Sequence, residues 1–564
     1  MIMGENKKTL VVGLDAACWD YLDPLLDSGR MPTLKRLMAT GVWGNLHSTM
    51  PPWTPTAWSS IITGKNPGKH GIFGMLWKRP GTYEFFPTNA TLRIGRPFWS
   101  LLNDYGIKTG LVNIPFTYPP KPLDGFMVCG FGTPNLVSEI AYPTEVENWI
   151  REKFEDFKPE VEAEILATTP PDEIFLAEKK QQAIFVEIAG ELANRHQVNV
   201  LGLNLMFPDH ANHKMPEMEQ VQEAYCQTDR DLSKLIKLFR PDNVMILSDH
   251  GSSRLKGDFM LDAWLRDQGY YVTLKNTPAE RLAAFNWLLM HFFRGHFGWS
   301  GIKEKIIRRL VKESFFWFPE GMRERFWNRF EAVFPYARRH LVWSGKPNYT
   351  TTQVFPGSVY SGLLYLNVVD RDKKGVIPYE ERKEIGREIA AKLIQIKDPE
   401  YGNPLFSNIY FAEDLYTGPE VRHAPDLILD AYQSGWNLRM RKDYFPSPPK
   451  AVVDRYFVTD SDQRDFGWHS REGIFVFSGP DFDKGKAPLN ANLPDITATL
   501  LHLYGVPIPE DYDGVVRVAT MIPAYRTRPI KYQPGDAAER EEKFYSPEEE
   551  EALVSHLRAL GYLD

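Results

Sequence analysis

Three short apolar runs in this chain each end on an acid, and helical patterns fill the spaces between them. Residues 10–14, Leu-Val-Val-Gly-Leu, stop at Asp15; residues 198–206 run into Pro208 and Asp209; residues 243–248 end in Asp249, His250 and Gly251. A continuous apolar run of strand length reads as a strand buried on both faces, which requires helices above and below a parallel sheet. Helical spacing is present to supply them. Residues 32–40 repeat Leu34, Leu37 and Met38 along one side, while 98–102, 172–196 and 217–238 read as helices and 109–113 and 126–129 as further strands. The alternation predicts an α/β fold, a doubly wound and largely parallel sheet with helices on both faces. Open sheets of this kind collect their ligand-binding groups beyond the carboxyl ends of the strands, where these acids fall.

The stretch 51–64 places a reactive alcohol at the start of a short helix. Thr54 reads as an N-cap, Pro55 as the first helical residue and Gly64 as the stop, so the helix is expected over about 55–63. That arrangement turns free N–H groups and the positive end of the helix dipole towards the Thr54 hydroxyl. By itself it does no more than cap a helix.

Length alone sets no domain count, since 564 residues suit two to four domains or one enlarged α/β domain. A net charge of −7 argues against nucleic acid as a partner and leaves a small phosphorylated substrate open. Cys18, Cys129 and Cys226 are too few and too scattered for a disulfide framework or a thiolate metal cage. A reducing compartment fits, and no run reaches the roughly 18 apolar residues that span a bilayer. The expectation is a cytoplasmic protein.

Composition shifts once, between about 271 and 354, where aromatic and basic residues accumulate. This predicts a helical insertion, a lid or cap packed by its own aromatics; lining a substrate pocket and lying on a membrane surface are the two other readings. Alternation resumes with a strand over 359–368, a helix over 379–396, a strand over 473–477 and a helix over 494–504 stopped by Gly505. The catalytic core is thus expected over 1–270 and 355–522. Residues from 523 turn polar like a linker, and Ser546-Pro547-Glu548-Glu549 reads as a capping box opening a last helix striped by Leu553, Leu557 and Leu560.

Asp15, Asp209, His213, Asp249, His250 and His469 form the chemically suggestive set. Carboxylates and imidazoles without thiolates suit Zn2+ or Mn2+ better than Ca2+ or an iron–sulfur cluster. Two divalent ions about 4 Å apart can ionise an alcohol and stabilise an in-line displacement at phosphorus. A threonine hydroxyl needs such activation near neutral pH.

Taken with their order and spacing, Gly13-Leu14-Asp15, Thr54 through Thr63-Gly64-Lys65-Asn66-Pro67-Gly68-Lys69-His70-Gly71-Ile72, Asp209 with His213, Asp249-His250-Gly251 and Gly467-Trp468-His469 resemble the alkaline phosphatase superfamily. Within it the chain resembles the type I phosphodiesterase and nucleotide pyrophosphatase branch, over roughly 8–270 and 355–520. The resemblance implies one metal ion held by Asp209, His213 and His469, a second held by Asp15, Asp249 and His250, and Thr54 bound to the second as nucleophile. It implies two divalent ions, Zn2+ or alternatively Mn2+, and a covalent phospho-threonine intermediate. The activity expected is hydrolysis of a diester or monoester of a small organic alcohol. A phosphotransferase or mutase is the alternative within enzymes, and a non-catalytic binding homologue the alternative outside them.

Two departures stand out. Diesterases similar to this branch carry an Asn shortly after the His-Gly-Ile motif, but here His70-Gly71-Ile72-Phe73-Gly74 runs into Met75, whose thioether cannot donate a hydrogen bond. Asn113 or Lys78 is expected to contact the phosphoryl oxygen instead, or the substrate preference differs. The sulfatase nucleophile motif is absent, since Thr54-Pro55-Thr56-Ala57-Trp58 lacks its spaced Pro and Arg. Trp287, Phe292, Trp299 and Phe316 of the insertion suggest an apolar or sugar-like leaving group.

Overall fold

The computed structural model describes residues 7–135, 139–155, 157–274, 347–357, 362–439, 449–452, 456–460, 466–487, 490–535, 540–560 and 563. Most of the expected insertion, residues 275–346 with Trp287, Phe292, Trp299 and Phe316, lies outside them, as do residues 359–361 of the expected strand over 359–368. The chain divides into two units, one bounded by Met1–Leu255, Leu405–Gly435 and Arg464–Leu563, the other by Lys256–Pro404 and Trp436–Gln463.

In the first unit, strand β1 (Thr9–Leu14) leads through helix α1 (Pro32–Thr40) and strand β2 (Gly41–His47) to helix α2 (Thr54–Thr63). Strands β3 (Thr109–Ile114) and β4 (Gly125–Cys129) precede the long helix α3 (Pro171–Arg195), strand β5 (Val200–Leu205) and helices α4 (Phe207–Lys214) and α5 (Met218–Phe239). Strands β6 (Asn243–Leu247) and β7 (Gly251–Arg254) follow, and after the other unit come β8 (Gly467–Ser470), β9 (Glu472–Ser478), α6 (Leu493–Tyr504) and α7 (Pro547–Leu560).

A ten-stranded sheet carries the order β2, β9, β6, β1, β5, β3, β4 along its middle. β1 runs parallel to β5 and β6, and β3 runs parallel to β5 and β4. β9 enters antiparallel between β6 and β2. Side chains alternate across the pleat, so Val11, Leu111, Val200, Met245 and Phe475 share one face and pack under Trp58, Ile61 and Ile62 of α2 and Leu500 and Leu501 of α6. Each such side chain withdrawn from water contributes about 1.5–3 kcal/mol. Helices α3 and α5 pack on strands β5 and β1, with Leu232, Leu235 and Phe239 of α5 buried at helical spacing. The carboxyl ends of β1, β5 and β6 therefore lie side by side, with Asp15, the start of α4, and Asp249 just beyond them.

The C-terminal segment packs on this unit. Arg540 pairs with Glu420 at 2.8 Å, and Tyr545 stacks on Tyr118 with centroids 5.8 Å apart. The Ser546 backbone N–H donates to Glu549 Oε2 at 2.7 Å, while the Glu549 N–H donates to Ser546 Oγ at 3.2 Å, so the capping box opens α7 as expected.

The second unit holds a four-stranded sheet in the order Trp436–Arg439, Gly257–Met260, Phe457–Asp460, Pro449–Val452. It also contains the helices Leu261–Asp267 and Arg382–Leu393 and an antiparallel pair, Val354–Pro356 with Leu363–Leu366. No helix among the described residues is long and apolar enough to cross a membrane.

Candidate active site

Asp15 is held by the turn that ends β1. Ala16 takes a left-handed φ of 60°, a conformation that costs a residue with a Cβ roughly 1–3 kcal/mol, and its carbonyl accepts from Tyr225 Oη at 2.9 Å and Ser252 Oγ at 2.8 Å. Asn204 of β5 donates through Nδ2 to Asp15 Oδ2 at 2.7 Å. It does so across Gly13, its partner in register, where an added Cβ would lie 2.1 Å from Asn204 Oδ1. Glycine is therefore required by close approach. Among the described residues, Asp15 Oδ1 and both carboxylate oxygens of Asp249 are buried without a hydrogen-bond partner.

The imidazoles are oriented by backbone carbonyls, which can only accept. His250 Nδ1–H donates to Gly251 O at 3.1 Å, and His469 Nδ1–H donates to Pro52 O at 2.9 Å. Each ring therefore turns an Nε2 lone pair into the cluster, the tautomer a metal ligand needs. His250 Nε2 lies 3.6 Å from Asp15 Oδ1 and 3.4 Å from Asp249 Oδ2. His469 Nε2 lies 3.1 Å from His213 Nε2 and 3.8 Å from Asp209 Oδ1, which is itself 3.5 Å from His213 Nε2. The rings of His250 and His469 stack at 3.8 Å between centroids. Asp209 and His213 meet because they stand one turn apart on α4.

Among the described residues two groups emerge whose ligand atoms lie within 4.8 Å of one another, Asp15 with Asp249 and His250, and Asp209 with His250 and His469. His250 belongs to both, and His213 adjoins the second. Donor atoms around a tetrahedral Zn2+ stand about 3.4 Å apart, given bonds of about 2.0–2.1 Å, so the observed spacings fit a divalent ion. Electrostatics point the same way. Burial, then the Asp249 charge, raises Asp15 well above the usual carboxylate range, and burial with the Asp209 charge pushes Asp249 up to about 7. Burial lowers His250 to about 3; burial and a neighbouring imidazole depress His213 and His469 well below the ordinary value. Carboxylates crowded beside neutral imidazoles form a donor set that a cation relieves.

Thr54 adjoins the first group, with Oγ1 3.3 Å from the Nε2 lone pair of His250. The expected N-cap is corrected. Trp53 caps α2, with φ −113° and ψ 136°, and its carbonyl accepts the Ala57 N–H at 2.8 Å; Thr54 is the first helical residue and Pro55 the second. Because Thr54 is already helical, its hydroxyl turns to His250 and makes no cap bond. Trp53 is fixed in turn by its Nε1–H, which donates to Tyr432 Oη at 3.1 Å, and by edge contact with Trp468.

Asn113, Met75 and Lys78, the residues named around the expected phosphoryl contact, have these settings. Asn113 has a left-handed φ of 53° and spends its amide on Asn204 O at 3.0 Å. Met75 is fully buried, its carbonyl accepting from Thr88 N at 2.9 Å. Lys78 lies buried on the short strand Leu76–Lys78, close enough to help depress His423. Sequence reasoning missed Asn204, although a single polar side chain inside the apolar run Val200–Leu205 was the available signal. It also missed His210. Burial alone would depress that imidazole, but the Glu178 carboxylate at 2.8 Å lifts it to about 9, so a cation adjoins Asp209.

Residues 9–315 match the model of a family described as type I phosphodiesterase / nucleotide pyrophosphatase. No curated protein matches the chain. Among solved structures, phosphonoacetate hydrolase from Sinorhizobium meliloti 1021 in complex with phosphonoformate is 15% identical, with a TM-score of 0.51 over 87% of this chain and 94% of that one. At that identity the likeness is one of fold. Murine ectonucleotide pyrophosphatase / phosphodiesterase 5 in complex with AMP is 14% identical, with a TM-score of 0.46 over 90% of this chain and 97% of that one.

Proposed function

The chain belongs to the type I phosphodiesterase and nucleotide pyrophosphatase family of the alkaline phosphatase superfamily, and from that membership we propose a two-metal phosphoester hydrolase with Thr54 as nucleophile. Its substrate is a phosphodiester or phosphomonoester of a small organic alcohol. The observation that supports this reading most is the Thr54 hydroxyl 3.3 Å from His250 Nε2, beside the buried Asp15 and Asp249 carboxylates.

Asp209, His213 and His469 would hold one ion and Asp15, Asp249 and His250 the other, with Thr54 next to the second. Zn2+ suits this nitrogen and oxygen set, and Mn2+ is the alternative. When bound, two divalent ions supply the charge that lowers the pKa of an alcohol and neutralises phosphoryl oxygens.

Thr54 gives up its proton to solvent, and Oγ1 forms a bond to phosphorus as the bond to the leaving alcohol breaks; the alcohol departs with a proton taken from solvent. A covalent phospho-threonine results. Water then cleaves the Oγ1–P bond, releasing the phosphate product and restoring the hydroxyl. Because its Nδ1–H is given to Gly251 O, His250 has one lone pair, on Nε2, and that lone pair would go to the ion, so His250 is not the base for Thr54. The start of α2 turns the positive end of its dipole to the phosphoryl group.

Thr54→Ala is expected to keep its bound metal and its fold while turnover of bis-p-nitrophenyl phosphate falls by about 1,000-fold or more. Undiminished turnover by the metal-loaded variant would overturn the assignment.

A further inference from the structure

We propose that Arg254 is a positioning residue that sets the geometry of the Asp209, His213 and His469 group; the proposal rests on the metal reading above. Arg254 closes β7, four residues after His250, and its half-buried guanidinium reaches the far end of α4. Nη1 donates to Asn212 O at 3.2 Å and Met215 O at 3.1 Å, and Nη2 donates to Met215 O at 3.1 Å and Pro216 O at 2.7 Å.

An α-helix leaves its last four carbonyls without intrahelical partners. In α4 the Ala211 carbonyl accepts from Met215 N at 2.8 Å, the Asn212 carbonyl from Arg254, and the His213 carbonyl from Phe466 N at 2.8 Å. Phe466 leads directly into β8, and β8 pairs antiparallel with β7, Arg254 opposite Gly467 and Ser252 opposite His469. The Asn212 amide closes the joint by donating to Trp468 O at 3.4 Å.

The three ligands thus hang from two elements far apart in sequence. α4 is only eight residues long, and a small tilt would part His213 from His469, whose Nε2 atoms stand 3.1 Å apart. Arg254 bridges both elements at once, as the strand partner of β8 and the cap of α4. Its planar fork reaches three carbonyls from one side chain, which the single ammonium of lysine cannot match, and its charge complements the helix C-terminus. Asp15 and Asp249 stand after β1 and β6, and the Asp15 turn is tied to β7 through Ser252 and not through the Arg254 guanidinium.

The test is calorimetric titration of Zn2+ into the metal-stripped full chain, for wild type, Arg254→Met and Arg254→Lys, with His469→Ala to identify the affected site. Two equivalents are expected in wild type. Arg254→Met should weaken one of them by about 10- to 100-fold and leave the other unchanged. Arg254→Lys should recover part of the loss. In the His469→Ala background, adding Arg254→Met should leave the remaining equivalent as it was. Equal weakening of both equivalents would reduce Arg254 to a general stabiliser and overturn the proposal, as would no change in either. If Arg254→Met does not fold, Arg254→Lys is judged alone by the same one-site criterion. A wild-type chain that takes up no Zn2+ or Mn2+ removes the metal reading itself, and this proposal with it, which separates the two failures.

Discussion

Asn204 shows how little of this site is settled by the ligands themselves. Its amide occupies one oxygen of Asp15 at 2.7 Å, which leaves the other facing the cluster and fixes the carboxylate plane. Asn204→Ala strands that buried oxygen, at a cost of about 1–3 kcal/mol in stability, and is expected to weaken the ion on the Asp15 side by about tenfold. Denaturant melts and Zn2+ titration check both; unchanged affinity would show that Asp15 needs no orientation. At this scale the sequence was informative about the residues that cluster and poor on the residues that position them. Asp15, Asp209, Asp249 and the histidines could be read because acids after buried strands have a chemical consequence. Tyr225, Ser252 and Arg254 could not, because their work consists of hydrogen bonds to carbonyls distant in sequence. Thr54 was singled out as a cap, but the capping role belongs to Trp53, and the Thr54 hydroxyl lies beside His250.

Among the elements, β7 and β8 carry no apolar alternation, since Gly-Ser-Ser-Arg and Gly-Trp-His-Ser give no period to read. They exist because each supplies the other's backbone partners and both are pinned to α4. Gly467 marks the closest approach: a Cβ there would lie 2.4 Å from the Asn212 backbone oxygen. Gly467→Ala must therefore displace β8, costing about 1–3 kcal/mol and moving His469 away from His213. A lowered melting temperature together with loss of one Zn2+ equivalent is the expected result, and full two-ion binding would contradict it. The larger strands were legible, but not their directions. Residues 473–477 read correctly as a strand, yet β9 runs antiparallel between β6 and β2, because a fully buried apolar run looks the same either way round. β2 itself was missed, for it starts at Gly41 with no break after the helix that ends at Thr40.

For the molecule as a whole, the α/β alternation was enough to foresee a largely parallel sheet and the edge at which the acids would meet. What it could not foresee is how late segments complete an early site. His469 arrives from a β-strand after the second unit, and residues 416 and 432 return to hold the turn before Thr54 through Tyr416 Oη on Met50 O and Tyr432 on Trp53. Sequence separations of this size leave no local pattern. Such a site, assembled by the fold around one alcohol, should pass through a covalent protein intermediate. The most direct test is acid-quenched turnover of bis-p-nitrophenyl phosphate by metal-loaded wild type, followed by peptide mass analysis. The expected result is a phosphoester adduct on the peptide containing Thr54, absent in Thr54→Ala. Full turnover in wild type, with no adduct at the earliest quench times and with an equal rate in Thr54→Ala, would contradict it.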